Sequence, residues 1–182
     1  MSSNLRILPI SVVALMVALA PVVTVSQRTG TGNAQEPAGS LGSITDSAKT
    51  FQEGQHDLAK GDLKQAEQAF RTVTNIDPQS APAYANLGVV YMREKRWDSA
   101  LIALRKAERL APTVAGIRLN IGLAYYRQSK FNVAIPAFLS VVNDDPNSSQ
   151  ARHLLGLCYF FTQQYEQAVS ALQPLEQVKS GD

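Results

Sequence analysis

Most of the chain shows the hydrophobic pattern of amphipathic helices. From residue 47 onward, apolar residues recur every three or four positions, as they do along one face of an α-helix. In the segment YANLGVVY, for example, Tyr84, Leu87 and Tyr91 share such a face, but Gly88 lies between them. A glycine inside a helix costs about 1 kcal/mol relative to alanine. We therefore expect a close packing contact at Gly88 that compensates for this cost.

The pattern repeats with a period of 34 residues. Starting at Ser47, the chain divides without insertion or gap into four units, residues 47–80, 81–114, 115–148 and 149–182. The eighth position of each unit is a glycine: Gly54, Gly88, Gly122 and Gly156. The twentieth position is an alanine: Ala66, Ala100, Ala134 and Ala168. The thirty-second position is a proline in the first three units: Pro78, Pro112 and Pro146. This agreement indicates an internal structural repeat.

Each unit predicts two helices joined by a short turn. In the second unit the helices span roughly residues 83–94 and 98–110, and the linker KRW between them favours an antiparallel hairpin. The glycine position lies on the first helix and the alanine position on the second. We expect the two backbones to touch there, because both side chains are minimal. The proline has no amide hydrogen and disfavours helix in the residue before it, so it is predicted to end each second helix.

These spaced residues resemble the tetratricopeptide repeat family, whose pattern of Leu-Gly, Tyr, Ala, Phe and Pro is matched over residues 47–182. Large apolar residues recur at two further positions: Leu63, Trp97, Phe131 and Tyr165, and then Phe70, Leu104, Phe138 and Leu172. The resemblance implies an all-α fold, a right-handed superhelical solenoid of four helix-turn-helix repeats with a concave inner face. Stacking is also expected on physical grounds, because one hairpin alone cannot bury its apolar faces.

In this family the first helix of each repeat lines the concave face. The resemblance therefore implies a peptide-binding groove that includes Phe51, Gln55, Asn86, Val89, Arg93, Asn120, Leu123, Tyr126, Arg127, His153 and Phe160. Apolar, amide and basic side chains suit a peptide, because they offer pockets for its anchor residues and partners for its backbone and acidic groups. Alternatively, Val89 and Leu123 only pack between repeats. Asn86 and Asn120 share one position of adjacent units, where some family members grip a peptide backbone; otherwise they bond neighbouring helices or face solvent.

Residues 1–34 have the pattern of a targeting segment. Arg6 is followed by an apolar run over residues 7–25, and then by a polar, glycine-rich stretch with small residues before Gln35. This order is typical of a cleaved export signal, although the run is also just long enough for an uncleaved amino-terminal membrane anchor. Both interpretations predict a flexible linker at residues 35–46, with the repeats outside the cytoplasm, either periplasmic or secreted.

The rest of the chain offers little for catalysis or nucleic acid binding. Arg6 and Arg28 account for the formal net charge of +2, so the remainder is neutral and does not predict a basic surface. His56 and His153 lie in different end units, and with the single cysteine, Cys158, they do not have the spacing of a metal site. Cys158 is predicted to be a buried, inert thiol. We therefore expect no enzyme activity, no cofactor and no metal ion.

The two end units depart from the pattern. Glu53 and Asp57 replace the apolar residue and the tyrosine of later units, which predicts a polar amino-terminal cap. The last helix keeps an apolar face: Val169, Leu172, Leu175 and Val178. The leading hypothesis is a non-enzymatic scaffold that binds a peptide or a partner helix in its groove. The alternatives are an assembly element that joins a second copy or another protein through its last repeat, and the front part of a longer enzyme.

Overall fold

The computed structural model describes residues 39–179, with side chains described for residues 46–173. This part of the chain consists of helices arranged as four hairpins, so the predicted all-α repeat solenoid is confirmed. The first helices of the hairpins, the A helices, are α1 (Gly39–Lys60), α3 (Ala81–Arg93), α5 (Ala115–Arg127) and α7 (Ser149–Phe161). The second helices, the B helices, are α2 (Leu63–Ile76), α4 (Trp97–Leu110), α6 (Phe131–Asp144) and α8 (Tyr165–Lys179).

The first helix begins earlier than the repeat pattern. α1 starts at Gly39, so residues 39–46 of the predicted flexible linker are helical, and that part of the prediction is wrong. These residues contain no proline, and a helix that is already nucleated downstream extends at low cost. The predicted export signal or anchor at residues 1–34, and residues 35–38 of the linker, lie outside the described residues.

Every hairpin turn ends its A helix in the same way. The residue at position 15 of each unit has a positive φ angle: Gly61 (87°), Lys95 (60°), Ser129 (59°) and Gln163 (63°). The amide of the following residue then donates back into the last helical turn, for example from Arg96 N to Tyr91 O at 2.8 Å. This is the Schellman arrangement that commonly terminates helices. Only the first repeat uses glycine, the residue that adopts this conformation without strain.

The glycine positions pack against large side chains of the B helix. The atoms nearest to a Cβ added at each glycine belong to position 24: Phe70 for Gly54, Leu104 for Gly88, Phe138 for Gly122 and Leu172 for Gly156. The Cβ on Gly88 would lie 2.5 Å from Leu104 Cγ, whereas Ala100 contributes only its carbonyl oxygen at 3.4 Å. The predicted glycine–alanine contact is therefore wrong in its partner. Side chains of a helix point back toward its amino terminus, so position 24 covers the surface one turn before it.

Each proline follows the end of a B helix, as predicted. α2 ends at Ile76, and Pro78 comes directly after its cap residue Asp77. Pro112 and Pro146 follow the cap residues of α4 and α6 in the same way. A proline at this point cannot continue the helix, because its ring fixes φ and it has no amide hydrogen to donate. The helix therefore ends there, and the chain turns into the next repeat.

The core lies within and between successive hairpins. The alanine positions are buried, with exposed fractions of 0% for Ala66, Ala100 and Ala134 and 5% for Ala168. The large residues that face the glycines are buried as well: Phe70, Leu104 and Phe138 have an exposed fraction of 0%. Dispersion contacts between these side chains and the glycine backbones compensate for the low helix propensity of glycine.

The first three A helices lie side by side. α3 packs on its hairpin partner α4 and on α2, and it also contacts α1 on one side and α5 on the other. Among the described helices, no contact of similar extent joins α2 to α4 or α4 to α6. The A helices α1, α3 and α5 therefore form a continuous face, and a ligand that runs across it meets the same repeat positions in turn.

Candidate functional site

Two asparagines lie in the middle of neighbouring A helices. Asn86 on α3 and Asn120 on α5 occupy position 6 of adjacent repeats, and both are half-buried. The hydrogen bonds that side chains of these helices make come from other residues, such as Tyr91 and Arg93. Neither asparagine bonds to another described residue. Because a carboxamide has both a donor and an acceptor, each is able to satisfy one peptide group of a ligand.

The apolar residues predicted to line the groove are partly used by the fold. Val89 and Leu123 are half-buried and pack against the main hydrophobic cluster, and Leu123 also contacts the cluster of the last two repeats. Phe51 packs against the main cluster, with its ring centre 5.6 Å from that of Phe70 in an edge-to-face arrangement. These three side chains match the alternative of packing between repeats, and only their outer atoms remain available to a ligand.

The polar residues predicted for the groove differ in their availability. Arg93 is half-buried, and its Nη1 donates to Leu58 O at 2.5 Å, so it caps the carboxyl-terminal end of α1. Arg127 occupies the same position of the next repeat, but it is exposed and bonds to no described residue. Gln55 is half-buried and His153 is exposed. Of the two arginines, Arg127 is the one in position to pair with an acidic group of a ligand.

Five rings form a continuous cluster, the aromatic chain, where the hairpins of repeats 3 and 4 turn. Phe131 lies 5.5 Å from Tyr126, edge to face, and it stacks on Phe161 at 4.5 Å with an angle of 18° between the rings. Phe160 meets Phe161 at 5.7 Å and Tyr165 at 5.9 Å, both edge to face. These geometries are the favourable ones for aromatic pairs. The aromatic chain thus joins side chains from α5, α6, α7 and α8.

Tyr126 and Phe160 were both predicted to line the groove, but no connection between their rings was predicted. The connection runs through Phe131, which was assigned a structural role, and through Phe161. A signal for it was present, because positions 12 and 17 are aromatic in both of the last two repeats. What was missing is the stacking distance between repeats, which brings residues 30 positions apart, Phe131 and Phe161, into contact.

A charged cluster, the charged clasp, joins repeats 1 and 2 near the same end of their hairpins. Glu67 of α2 accepts hydrogen bonds from the Tyr91 hydroxyl at 3.0 Å and from Arg96 Nη1 at 2.8 Å. Arg96 also pairs with Glu94 at 2.9 Å, and its guanidinium lies 4.3 Å from the centre of the Tyr91 ring. This cluster was not predicted from the sequence, because its members lie in two repeats and a turn. Its polar groups satisfy one another within the fold.

The clasp perturbs the acidity of its members, including Glu67 and Tyr91. Burial alone would raise the pKa of Glu67, but hydrogen bonds from Arg96 and Tyr91, together with the charge of Arg96, lower it on balance. Burial raises the pKa of Tyr91, and the neighbouring Glu67 carboxylate raises it further. Glu67 is thereby held as a carboxylate and Tyr91 as a neutral hydroxyl, which are the states that the hydrogen bond between them needs.

The described residues offer no evident centre for catalysis. Among them, no group of histidine, cysteine and acidic side chains is placed to hold a metal ion. Cys158 is fully buried, and burial raises the pKa of its thiol to about 11, so it matches the predicted inert thiol. Two depressions, one along α2 and one beside the turns that contain Arg96 and Lys130, are lined by none of the predicted groove residues. None of the described helices has the length and apolar character needed to cross a membrane.

Two family models match the chain in succession. The model described as tetratricopeptide repeat matches residues 57–124, and the model described as anaphase-promoting complex, cyclosome, subunit 3 matches residues 118–175. Among curated proteins, no sequence matches the chain.

Solved structures share the fold. MamA, from residue 41 to its end, from Desulfovibrio magneticus RS-1 is 25% identical, with a TM-score of 0.69 over 75% of this chain and 78% of its own. PilF from Pseudomonas aeruginosa is 28% identical, with a TM-score of 0.66 over 73% of this chain and 61% of its own. The TPR domain of Arabidopsis OM64 is 14% identical, with a TM-score of 0.61 over 64% of this chain and 96% of its own, a likeness of fold alone. With its 34-residue period, its four hairpins and these matches, the chain belongs to the tetratricopeptide repeat family.

Proposed function

We propose that the protein is a non-enzymatic scaffold that holds an extended peptide or a partner helix against the face formed by its A helices. Tetratricopeptide repeats generally bind other proteins, and their fold typically serves as a scaffold. The observation that carries the proposal is the pair Asn86 and Asn120. Both are half-buried at one repeat position, and neither uses its carboxamide on another described residue.

The arrangement suits a peptide backbone better than a particular side chain. α3 and α5 are in contact, so the two carboxamides lie on neighbouring helices of the same face. An amide side chain that bonds a peptide group does not read the residue that carries it. Arg127, exposed at the end of α5, adds an attraction for acidic groups. Specificity then has to come from other residues along the same face.

The groove is tested with a displayed library of random twelve-residue peptides, selected on the full chain. The affinity of a selected peptide is then compared for the wild type, for N86A/N120A, and for N132A/N143A, whose two asparagines are exposed on α6. Each lost hydrogen bond costs about 0.5–1.5 kcal/mol, so N86A/N120A should bind about tenfold more weakly. The control should bind as the wild type does. Selection of no peptide, or equal binding by both variants, would contradict the proposal.

We further infer that the repeats function outside the cytoplasm, in the periplasm or secreted. The support is the sequence of residues 1–34, with its basic start, its apolar run and its polar, small-residue end. Alkaline phosphatase, which is active only after export, provides the test when it is fused after Asp182. Phosphatase activity should require residues 1–34. Equal activity with and without that segment would refute export.

A second function, assembly through the last repeat, is favoured by the outer face of α8. Tyr165 and Val169 are 58% and 56% exposed, whereas Phe131 and Ile135, at the same positions of α6, are half-buried and pack against the core of the last two repeats. In sedimentation of the full chain at tens of micromolar, the wild type should then associate and V169E should not. V133E is the matched control, because Val133 is 51% exposed on α6. A strictly monomeric wild type would exclude this function.

A further inference from the structure

The aromatic chain exposes a contiguous apolar surface. Phe160, Phe161 and Tyr165 are 55%, 51% and 58% exposed, and Phe160 touches both of the other rings. Single exposed apolar side chains are common on soluble proteins, but contiguous apolar patches are characteristic of interaction sites. The patch lies at the carboxyl-terminal end of α7 and the start of α8.

The architecture does not require these exposed rings, because the earlier repeats are built without them. Position 12, which is Phe160 in the last repeat, is Leu58 in the first and Met92 in the second, and these are only 8% and 6% exposed. Position 13, which is Phe161 in the last repeat, is Arg93 in the second, where it caps α1. The aromatic character of this surface is therefore a property of the last repeats of this chain and not of its fold.

The geometry of the aromatic chain favours a further ring. Its contacts are edge to face at 5.5–5.9 Å, apart from the stacked pair of Phe131 and Phe161 at 4.5 Å. The series runs from Tyr126 to Tyr165, and its last three rings, Phe161, Phe160 and Tyr165, are each more than half exposed. An aromatic side chain of a ligand would continue it, and each such pair contributes about 0.5–1.5 kcal/mol beyond the burial of its area.

The charges beside the aromatic chain favour an acidic ligand. Arg127 directly follows Tyr126, Lys130 directly precedes Phe131, and both basic residues are exposed. In the described segments 126–131 and 160–166, Glu166 is the only acidic residue. A guanidinium pairs with a carboxylate through two parallel hydrogen bonds, which gives Arg127 both affinity and orientation.

We propose that the partner segment carries an aromatic side chain close to a carboxylate, with the ring docked on Phe160 and Phe161 and the carboxylate paired with Arg127. This inference names the ligand class of the A-helix face and rests on the function proposed for that face. The two asparagines hold the backbone of the segment, whereas the exposed rings and Arg127 select its side chains. Peptides without this pairing of ring and acid bind more weakly.

The test compares peptide selection on the full-length wild type, on F160A and on I102A, from the same displayed library of random peptides. Ile102 is the matched control, because it is 72% exposed on α4, on another element. Peptides selected on the wild type and on I102A should carry an aromatic residue within a few positions of Asp or Glu. The best of them should bind F160A about tenfold more weakly, and R127E should prefer the form in which lysine replaces the acid. Circular dichroism should show unchanged helix content in F160A, whose altered side chain is more than half exposed.

The outcomes separate the inference from the function on which it rests. Selected peptides that bind N86A/N120A weakly but F160A normally, or that lack the pairing of ring and acid, would overturn the inference and leave the groove in place. Selection of no peptide would overturn both. If F160A lost only self-association in sedimentation, or only binding to lipid vesicles, the patch would be occupied by a second copy or by a membrane, and the inference would be wrong.

Discussion

The first two repeats and the last two join in the same architecture but with opposite chemistry where their hairpins turn. In repeats 1 and 2, Glu67, Tyr91 and Arg96 form the charged clasp, in which each polar group finds a partner inside the protein. In repeats 3 and 4, the aromatic chain has three rings that are more than half exposed. The clasp uses its interactions to hold the repeats together, while the aromatic chain also presents a surface. The polar groups of the clasp are thus satisfied within the protein, whereas the aromatic chain leaves apolar surface exposed.

Single positions of the repeat account for this difference. Position 21 is Glu67 in the first repeat, but Leu101 and Ile135 in the next two, and without that carboxylate the clasp cannot form again. Position 13 changes from arginine in the middle repeats to Phe161 in the last, which extends the aromatic chain. The regular repeat thus determines the backbone fold. A few residues that depart from the repeat pattern determine whether adjacent repeats are joined by the charged clasp or by the aromatic chain.

The largest effect should come from the glycine contact that both halves share. In G122A the new Cβ would lie 2.6 Å from Phe138, whose ring is fully buried and has no room to move. Overpacking of this kind costs about 1–3 kcal/mol, and three carbons of the Phe138 ring within 2.9 Å of the new Cβ favour the upper end. The better helix propensity of alanine returns about 1 kcal/mol of that cost. G54A, with a Cβ 2.9 Å from Phe70, is a second example in the other half. The free energies of unfolding of both variants are measured by urea denaturation. G61A is a comparison without a clash, because nothing lies within 4 Å of its Cβ, and its loss of about 1–2 kcal/mol should come from the φ of 87° alone. Unchanged or increased stability in both G122A and G54A would contradict the contact.

The second-largest effect should come from the aromatic chain. F131A removes the ring that joins Tyr126 to Phe161, and we expect it to lower the free energy of unfolding by about 2 kcal/mol, less than for a fully buried phenylalanine. F160A should cost well under half of that, because its ring is 55% exposed. Thermal melting of both variants provides the measurement. A greater loss of stability in F160A than in F131A would contradict the role of Phe131 as the ring that joins the last two repeats.

The stabilisation by the charged clasp should depend on pH. E67Q weakens the clasp, and we expect a loss of about 1 kcal/mol at pH 7. Since the pKa of Glu67 is lowered below its ordinary value of 4.5, its stabilising effect is present above that value and is lost as pH falls through the folded-state pKa. The stability difference between wild type and E67Q should therefore vanish in acid.

E53Q is the matched control for this experiment. Glu53 pairs with Lys49 at 3.9 Å, but both side chains are largely exposed, at 57% and 77%. Surface pairs of this kind contribute about 0–1 kcal/mol, so E53Q should leave unfolding almost unchanged. A pH-independent difference for E67Q, or an equal effect of E53Q, would show that the clasp does not hold the first two repeats together.

The smallest effect should be a gain that is the same in both halves. Lys95 and Ser129 adopt positive φ angles of 60° and 59°, which glycine adopts freely. K95G and S129G should each stabilise the protein by about 0.5–1 kcal/mol, the relief of strain being partly offset by the greater entropy of the unfolded chain. S140G, within α6, is the control and should destabilise by about 1 kcal/mol. Destabilisation by S129G would contradict a strained, positive φ angle at Ser129 in the folded protein.

The sequence predicts what depends on local pattern and misses what depends on stacking. The helices of the second repeat begin within two residues of their predicted starts, Ala83 and Asp98, because apolar spacing and the prolines are local signals. The partner of Gly88 was misassigned, because Ala100 and Leu104 lie one turn apart on the same helix and only the tilt of the side chains separates them. The start of α1 was missed, because residues 39–46 carry no repeat pattern.

The candidate site shows the same division. Asn86 and Asn120 were identifiable from the sequence, because position in the repeat places them on the A helices. Arg93 donates a hydrogen bond to Leu58, whereas Arg127 bonds to no described residue. This difference depends on distances between repeats, so the sequence pattern gives both arginines equal weight. The aromatic chain and the charged clasp were missed for the same reason, since each forms between repeats.

Nuclear magnetic resonance gives the most direct test of where the ligand binds. Nitrogen–proton correlation spectra of the full chain are recorded during titration with a peptide from the library selection. The account predicts that the side-chain amides of Asn86 and Asn120 and the backbone amides of Phe160 and Phe161 shift with one common affinity. Shifts confined to outward positions of the B helices, such as Ile102, with both asparagines unchanged, would contradict it.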